Sequence, residues 1–272
     1  MTLFTIDPEL CNQDAICVAE CPVRIITMVD GLPQPVDKAE ALCINCGHCV
    51  AVCPTQAFSH KNLKPADCIS LEETPTFTPE QAEIFLRQGR SIRTYKKKPV
   101  EKKLLERAIT IASHAPSGHN RQPVKWHVIH DTAHIKDLNE KVIDWMRWMI
   151  KEKPQMAGPL HLDLVVSGWE AGLDTITRNA PHLIIAHGNQ KDPTAQTACT
   201  IAMTWLELVL PSLELGGCWC GYFNTAAVFW PPLKAALELP ENHVSFGTMM
   251  VGYPTYTYKR IPPRNRPGIT WK

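Results

Sequence analysis

Cys43-Ile44-Asn45-Cys46-Gly47-His48-Cys49-Val50-Ala51-Val52-Cys53-Pro54 decides how the chain begins to fold. The spacing, C-x2-C-x2-C-x3-C-P, is a ligand run for iron–sulfur clusters, in which the fourth cysteine serves a different cluster from the first three. Three thiolates three residues apart can wrap one face of a cubane as the chain turns round the iron. The proline redirects the backbone and lets the fourth reach a second cluster. Zinc fits this run poorly, because its tetrahedral sites are commonly two separated C-x2-C pairs. An altered copy lies upstream: Cys11-x5-Cys17-x3-Cys21-Pro22, with Asp14 in the second cysteine's place.

The two copies form an internal repeat, and residues 1–62 resemble a two-cluster bacterial ferredoxin. The resemblance implies crossed ligation: Cys21, Cys43, Cys46 and Cys49 around one [4Fe–4S] cluster, and Cys11, Cys17 and Cys53 around the other, with Asp14 at its open corner. Asp14 has three readings. It is a carboxylate ligand, harder than thiolate and holding its iron more weakly; or it faces a [3Fe–4S] cluster with no iron at that corner; or it is solvated beside an iron carrying water or hydroxide. Cys68 reads as a bystander, and His48 and His60 as hydrogen-bonding bystanders near the clusters. Residues 25–29 and Pro35-Val36 flank Asp30-Gly31, a hairpin dipeptide. A domain of this size generally needs a metal staple, which clusters would supply.

Residues 63–78 read as a linker, rich in Pro and Thr and without periodicity. The second domain, 79–272, opens with a helix: Thr78 as N-cap, Pro79 at its first position, Gln81 closing a capping box, Ile84, Phe85 and Leu86 as apolar positions, Gly89 as its stop. Then come Gly89-Arg90-Ser91-Ile92-Arg93-Thr94-Tyr95, a helix containing Leu104 and Leu105, and Ala115-Pro116-Ser117-Gly118-His119-Asn120-Arg121-Gln122-Pro123, followed by a strand, Lys125–Ile129. The first stretch offers two guanidinium groups and a hydroxyl suited to a phosphate; the basic alternative is a solvated face, as Lys96, Lys97 and Lys98 are. The second presents backbone groups and an amide to a flat polar ligand.

Together they resemble the nitroreductase family of FMN enzymes, through R-S-x-R-x-[YF] and A-P-S-G-x-N-x-Q-P; Val124 departs from the aromatic that often follows Q-P. The resemblance implies FMN held by Arg90, Ser91 and Arg93 at its phosphate, ribityl or pyrimidine parts, with Pro116, Ser117 and Asn120 lining the ring. It places a backbone N–H from Cys220 or Gly221 near flavin N5, within a glycine loop at residues 215–221, and Arg260 or Arg264 at the phosphate. Cys218 and Cys220 themselves read as packing. Ala180-Pro181-His182 leads into a strand at 183–186. Residues 195–215 read as a core helix ended or bent by Pro211, and 247–252 as a strand. Residues 135–150 are apolar round much of a helix and read as core or dimer interface, with a lid over the flavin as the other reading. The fold class is α+β: a two-cluster ferredoxin-like domain, then a central sheet flanked by helices.

Lys plus Arg is 28 and Asp plus Glu 27, so nothing calls for nucleic acid or an anionic membrane as partner. Residues 1–10 lack a signal peptide's basic start and apolar core. No apolar run nears the roughly 20 residues needed to span a bilayer. Seven of 11 cysteines fall between Cys11 and Cys53, and without an export signal such density points to metal in a reducing, cytoplasmic setting. The expected protein is a homodimeric flavin oxidoreductase. It passes electrons between clusters and FMN to reduce or oxidise a small acceptor such as a nitroaromatic, quinone or enone, with a redox protein or NAD(P)H as donor. No side chain is required as a catalytic acid. The competing readings are a relay to a protein partner with no small-molecule substrate, and a zinc protein with a degenerate flavin domain.

Overall fold

The computed structural model describes residues 2–71 and 74–272. The chain divides into two compact units, Met1–Thr76 with Gly118–Arg121, and Phe77–Ser117 with Gln122–Lys272.

The first unit runs β1 (Phe4–Ile6), α1 (Ile16–Ala19), β2 (Ile26–Val29), β3 (Leu32–Pro35), α2 (Ala39–Leu42), α3 (His48–Ala51) and β4 (Phe58–His60). Strand β1 pairs antiparallel with β4, Phe4 opposite His60. Strands β2 and β3 form the expected hairpin, Val29 opposite Leu32, and both turn residues are left-handed (Asp30 φ 48°, Gly31 φ 82°), as a twisted two-residue turn requires. The internal repeat is written into the backbone. Gln13, Ala15 and Arg24 have φ of 59°, 57° and 53°, and their counterparts 32 residues on (13 to 45, 15 to 47, 24 to 56) have 52°, 75° and 59°. Left-handed backbone disfavours a side chain by about 1–2 kcal/mol per residue. The same unfavourable wrap therefore recurs at each copy of the cysteine run.

The second unit begins with α4 (Pro79–Arg87), capped reciprocally: Gln81 N–H donates to Thr78 Oγ1 (3.2 Å) and Thr78 N–H to Gln81 Oε1 (3.0 Å). Two details differ from expectation. Gly89 follows the cap residue Gln88 without a left-handed φ, and Ile84 and Leu86 are exposed and join no core among the described residues. There follow α5 (Lys102–Ala112), β5 (Lys125–Ile129), α6 (Thr132–Glu152), α7 (Pro154–Ala157), α8 (Leu162–Glu170), β6 (His182–Asn189), α9 (Ala195–Val209), β7 (Gly216–Trp219), α10 (Gly221–Phe229), α11 (Pro231–Ala236) and β8 (His243–Gly252). The sheet order is β5-β6-β8-β7, antiparallel throughout.

Strand β6 is buried from His182 to Gly188 because both faces are covered. Leu183 and Ile185 point to one core with residues of α6, α8 and α10; Ile184 and Ala186 point to the other with residues of α5 and α9. Helix α6 puts Leu138, Val142, Ile143, Trp145 and Met146 into the first core, which accounts for its apolar girth. Pro211 lies in a 3-10 turn that ends α9. The stretch read as a glycine loop is instead strand β7 running into α10. Its glycines serve close packing: a Cβ at Gly216 would stand 2.3 Å from Ile92, and one at Gly217 2.6 Å from Met249.

His182, at the head of β6, ties three segments together. Its Nε2 accepts the Val100 N–H (2.7 Å), so Nδ1 carries the proton and donates to His130 O (3.1 Å). The His130 ring stacks on it at 4.1 Å. Burial, then the charge of His130, pull the His182 pKa down to about 4.

Candidate functional site

In the first unit the chain folds the two cysteine runs onto each other. Cys21, Cys43, Cys46 and Cys49 all line one hollow, walled otherwise by apolar groups including Phe4, Ile25 and Ile26. Burial, then the neighbouring Cys46, push the Cys49 thiol up to about 12, with Cys21 and Cys43 adding to the effect. The second set draws together likewise. The Cys17 thiol is raised by burial first, then by Cys53, Asp14 and Cys11. Cys53 differs. Burial raises its thiol, but hydrogen bonds from Thr55 Oγ1 and the N–H groups of Phe58, Thr55 and Ala57 outweigh that and hold it below its ordinary value. Asp14 sits between left-handed Gln13 and Ala15, as Cys46 sits between Asn45 and Gly47, and its Oδ1 accepts the Ile16 N–H (3.0 Å) at the start of α1.

Gathering thiols in an apolar hollow is unfavourable for the thiolates unless cationic metal compensates them, so the donor set fits an iron–sulfur cluster. Among the described residues no group of three or more His, Cys, Asp or Glu closes tightly enough to hold a single metal ion. Cys68 is exposed. His60, read as a hydrogen-bonding bystander near the clusters, lies against Cys43: its Nε2 is 3.6 Å from Sγ. Sequence spacing did not say which cysteine it would meet, because that depends on the pairing of β1 with β4.

In the second unit the Arg90–Arg93 stretch lies as an added ribbon on backbone. Ile92 N–H donates to Gly217 O (2.9 Å), Lys96 N–H to Tyr253 O (2.9 Å) and Thr255 N–H to Thr94 O (3.1 Å). Tyr95 OH donates to Ile92 O (2.6 Å). Arg90 lines a cleft with Arg87, Ile261 and Arg264. Its NH1 reaches Gly89 O (2.7 Å), whereas its buried Nε has no partner among the described residues. An orphaned guanidinium N–H in a cleft lined by three arginines fits an anionic group such as a phosphate. Arg87 escaped the sequence reading; in the structure it also forms an ion pair with Glu83. Arg260 is exposed and does not line this cleft, Ser91 is half-buried, and Arg93 is exposed.

The loop from Pro116 to Gln122 is pinched by Gln122 N–H donating to Ser117 Oγ (3.0 Å), and His119, Asn120 and Gln122 are left-handed. Pro116 is exposed and Ser117 half-buried. The tip, Gly118–Arg121, clusters with the first unit, where the Asn120 amide donates to Asn45 O (2.8 Å). The Cys220 N–H donates to Thr248 O (2.8 Å) and its thiol to Ile176 O (3.3 Å), with burial raising that thiol to about 12. Cys218 is also buried in the core. That leaves Gly221. It opens α10, has empty space where a Cβ would stand, and as the first helical residue has no intrahelical acceptor for its N–H.

Comparison with known proteins bears on both units. The model of the nitroreductase family matches residues 86–253, and that of the 4Fe-4S dicluster domain residues 10–58. Formate hydrogenlyase subunit 2 of Escherichia coli (strain K12) is 39% identical over 70 residues, 25% of this chain and 33% of that subunit. The chain thus spans about a third of that relative's length. A protein named ferredoxin 7Fe, from Hydrogenibacillus schlegelii, is 36% identical over 67 residues, 25% of this chain and 82% of that one. A nitroreductase of Bacteroides fragilis NCTC 9343, solved with bound FMN, superposes with a TM-score of 0.59 at 24% identity, covering 71% of this chain and 98% of the other. Among the described residues no helix is long and apolar enough to cross a membrane.

Proposed function

The chain belongs to the nitroreductase family and carries a 4Fe-4S dicluster domain ahead of it; from that premise we propose an FMN oxidoreductase wired to its own iron–sulfur clusters. The observation that carries this reading is the gathering of both cysteine sets in a chain whose second unit has the nitroreductase fold. Bound FMN would supply one- and two-electron chemistry toward a small organic acceptor, and the clusters one-electron exchange with it.

The residues divide the work as follows. Cys21, Cys43, Cys46 and Cys49 hold one [4Fe–4S] cluster; Cys11, Cys17 and Cys53 hold the other. At the Asp14 corner the iron is ligated by the carboxylate, carries water or hydroxide beside a solvated Asp14, or is missing; the first two give [4Fe–4S] and the last [3Fe–4S]. The likeness to a seven-iron ferredoxin and the engagement of Asp14 Oδ1 by Ile16 both favour the missing iron. Arg90 anchors the FMN phosphate, and its shared cleft favours Arg264 over Arg260 as the second arginine. Ser91 and Arg93 extend this grip, Pro116, Ser117 and Asn120 border the ring, and Gly221 offers its backbone N–H there. The cluster domain ends near residue 62 and the flavin domain starts near 79. Joining the two in one chain raises their effective concentration for each other. The exposed Ile84 and Leu86 support a homodimer in which they are covered.

Anaerobic purification with iron, sulfide and flavin analysis tests the cofactors: about one FMN, with about eight irons per chain for two four-iron clusters or about seven if Asp14 marks a vacant corner. Reduced protein mixed with a nitroaromatic or a quinone should be reoxidised within a few turnovers' time. Reoxidation by protein acceptors alone would replace this reading with that of a relay.

A further inference from the structure

His60 is the last residue of β4, held opposite Phe4 of β1 and bound through its own backbone N–H to Leu63 O (2.9 Å). It is 6% exposed, so its ring has little freedom. Asn62 N–H donates to Nδ1 (3.1 Å), which leaves no room for a proton on that nitrogen. The ring is therefore the neutral tautomer with its proton on Nε2, and Nε2 is the atom 3.6 Å from Cys43 Sγ. The hydrogen points to sulfur because the other nitrogen is already engaged.

We infer that His60 is a fixed hydrogen-bond donor to the Cys43 thiolate and sets the reduction potential of the cluster held by Cys21, Cys43, Cys46 and Cys49. This rests on the cluster reading proposed above. An electron added to a cluster makes its sulfurs more negative, and a donor aimed at one of them stabilises that reduced form and raises the potential. Desolvation by Phe4, Ile25 and Ile26 works the other way, by disfavouring the more highly charged state. Among the described residues no imidazole meets a thiol of the companion set: Cys53 receives the Thr55 hydroxyl and backbone N–H groups instead. His60 thus adds, beside the replacement at Asp14, a further difference between the two clusters. It is a positioning and tuning residue rather than a ligand.

The test uses the full chain, reconstituted anaerobically with iron and sulfide, and a potentiometric titration followed by electron paramagnetic resonance. In H60L the midpoint of one cluster should move to a more negative potential while the other stays in place. In H60Q, which retains an N–H donor, that midpoint should stay nearer the wild-type value. Unchanged midpoints in H60L at full iron content overturn the inference, as does an equal shift in H60L and H60Q. If H60L alone fails to take up iron while H60Q loads it, the donor is upheld; loss of iron from both points to packing and overturns it. Wild-type protein that binds no iron sinks the cluster reading itself, a result recognisable before any variant is made.

Discussion

Among the described residues the first unit buries nine apolar side chains in its core, two of them cysteines, whereas the second buries twenty-four and thirteen in two clusters on the faces of its sheet. The first also repeats three left-handed backbone positions in each of its halves, each disfavoured for a residue with a side chain. The second is built on an antiparallel sheet whose strand β6 is covered on both sides. The difference teaches that similar local devices, short helices and tight turns, can be held by opposite means: in one place by what the thiolates bind, in the other by what the side chains exclude from water.

The largest effect that could break this contrast is loss of iron. Treating the full chain with a chelator under anaerobic conditions should abolish hydrogen-exchange protection in residues 2–60 and leave β6 and β8 protected. Equal retention in both units would mean that the first folds without its metal. A core truncation sharpens the same point from the other side. Phe223 is fully buried, and Phe223→Ala should cost about 3–5 kcal/mol in the unfolding transition of the second unit, read by denaturant titration, with the iron content unchanged.

Acid gives a third, smaller probe. His182 and His187 have folded pKa values pulled down to about 4, His182 by burial and His130, His187 by burial and His243. The unfolded chain therefore binds protons that the folded chain refuses between about pH 6.5 and 4. Their stability contribution is complete above about 6.5 and is lost as pH falls toward 4, by at most about 3 kcal/mol for each. Denaturation midpoints at pH 7 and pH 5 should differ less in H182Q than in wild type; an identical slope would remove His182 from the account. Last, Arg90→Ala should weaken FMN binding about 10- to 100-fold, the order of one charge-assisted hydrogen bond, measured by flavin fluorescence on titration. Unaltered affinity would move the phosphate elsewhere.

What could be read before folding was whatever is local. Ligand spacing fixes which residues can wrap one cluster, so the cysteine runs and the Asp30-Gly31 hairpin were plain. The cap at Thr78 and strand β5 were equally so. Long-range pairing was not. Nothing in the residues of β7 says that β8 runs beside them; two glycines in a row mimic a loop until Ile92 and Met249 are seen pressed against them. Likewise Arg87 and Arg264 are 177 positions apart and meet only in the folded cleft (87 to 264). His60 is the same lesson in the first unit, a residue whose role is written in strand register rather than in motif.

Gly216 and Gly217 have one further consequence. Because Gly216 lacks a side chain, Ile92 seats where its Cβ would otherwise stand, and the Arg90–Arg93 ribbon is fastened there by a main-chain bond, Ile92 N–H to Gly217 O. A mounting made of peptide groups is indifferent to which side chains drift nearby. Exchanging the side chains around it would leave the course of this ribbon unchanged.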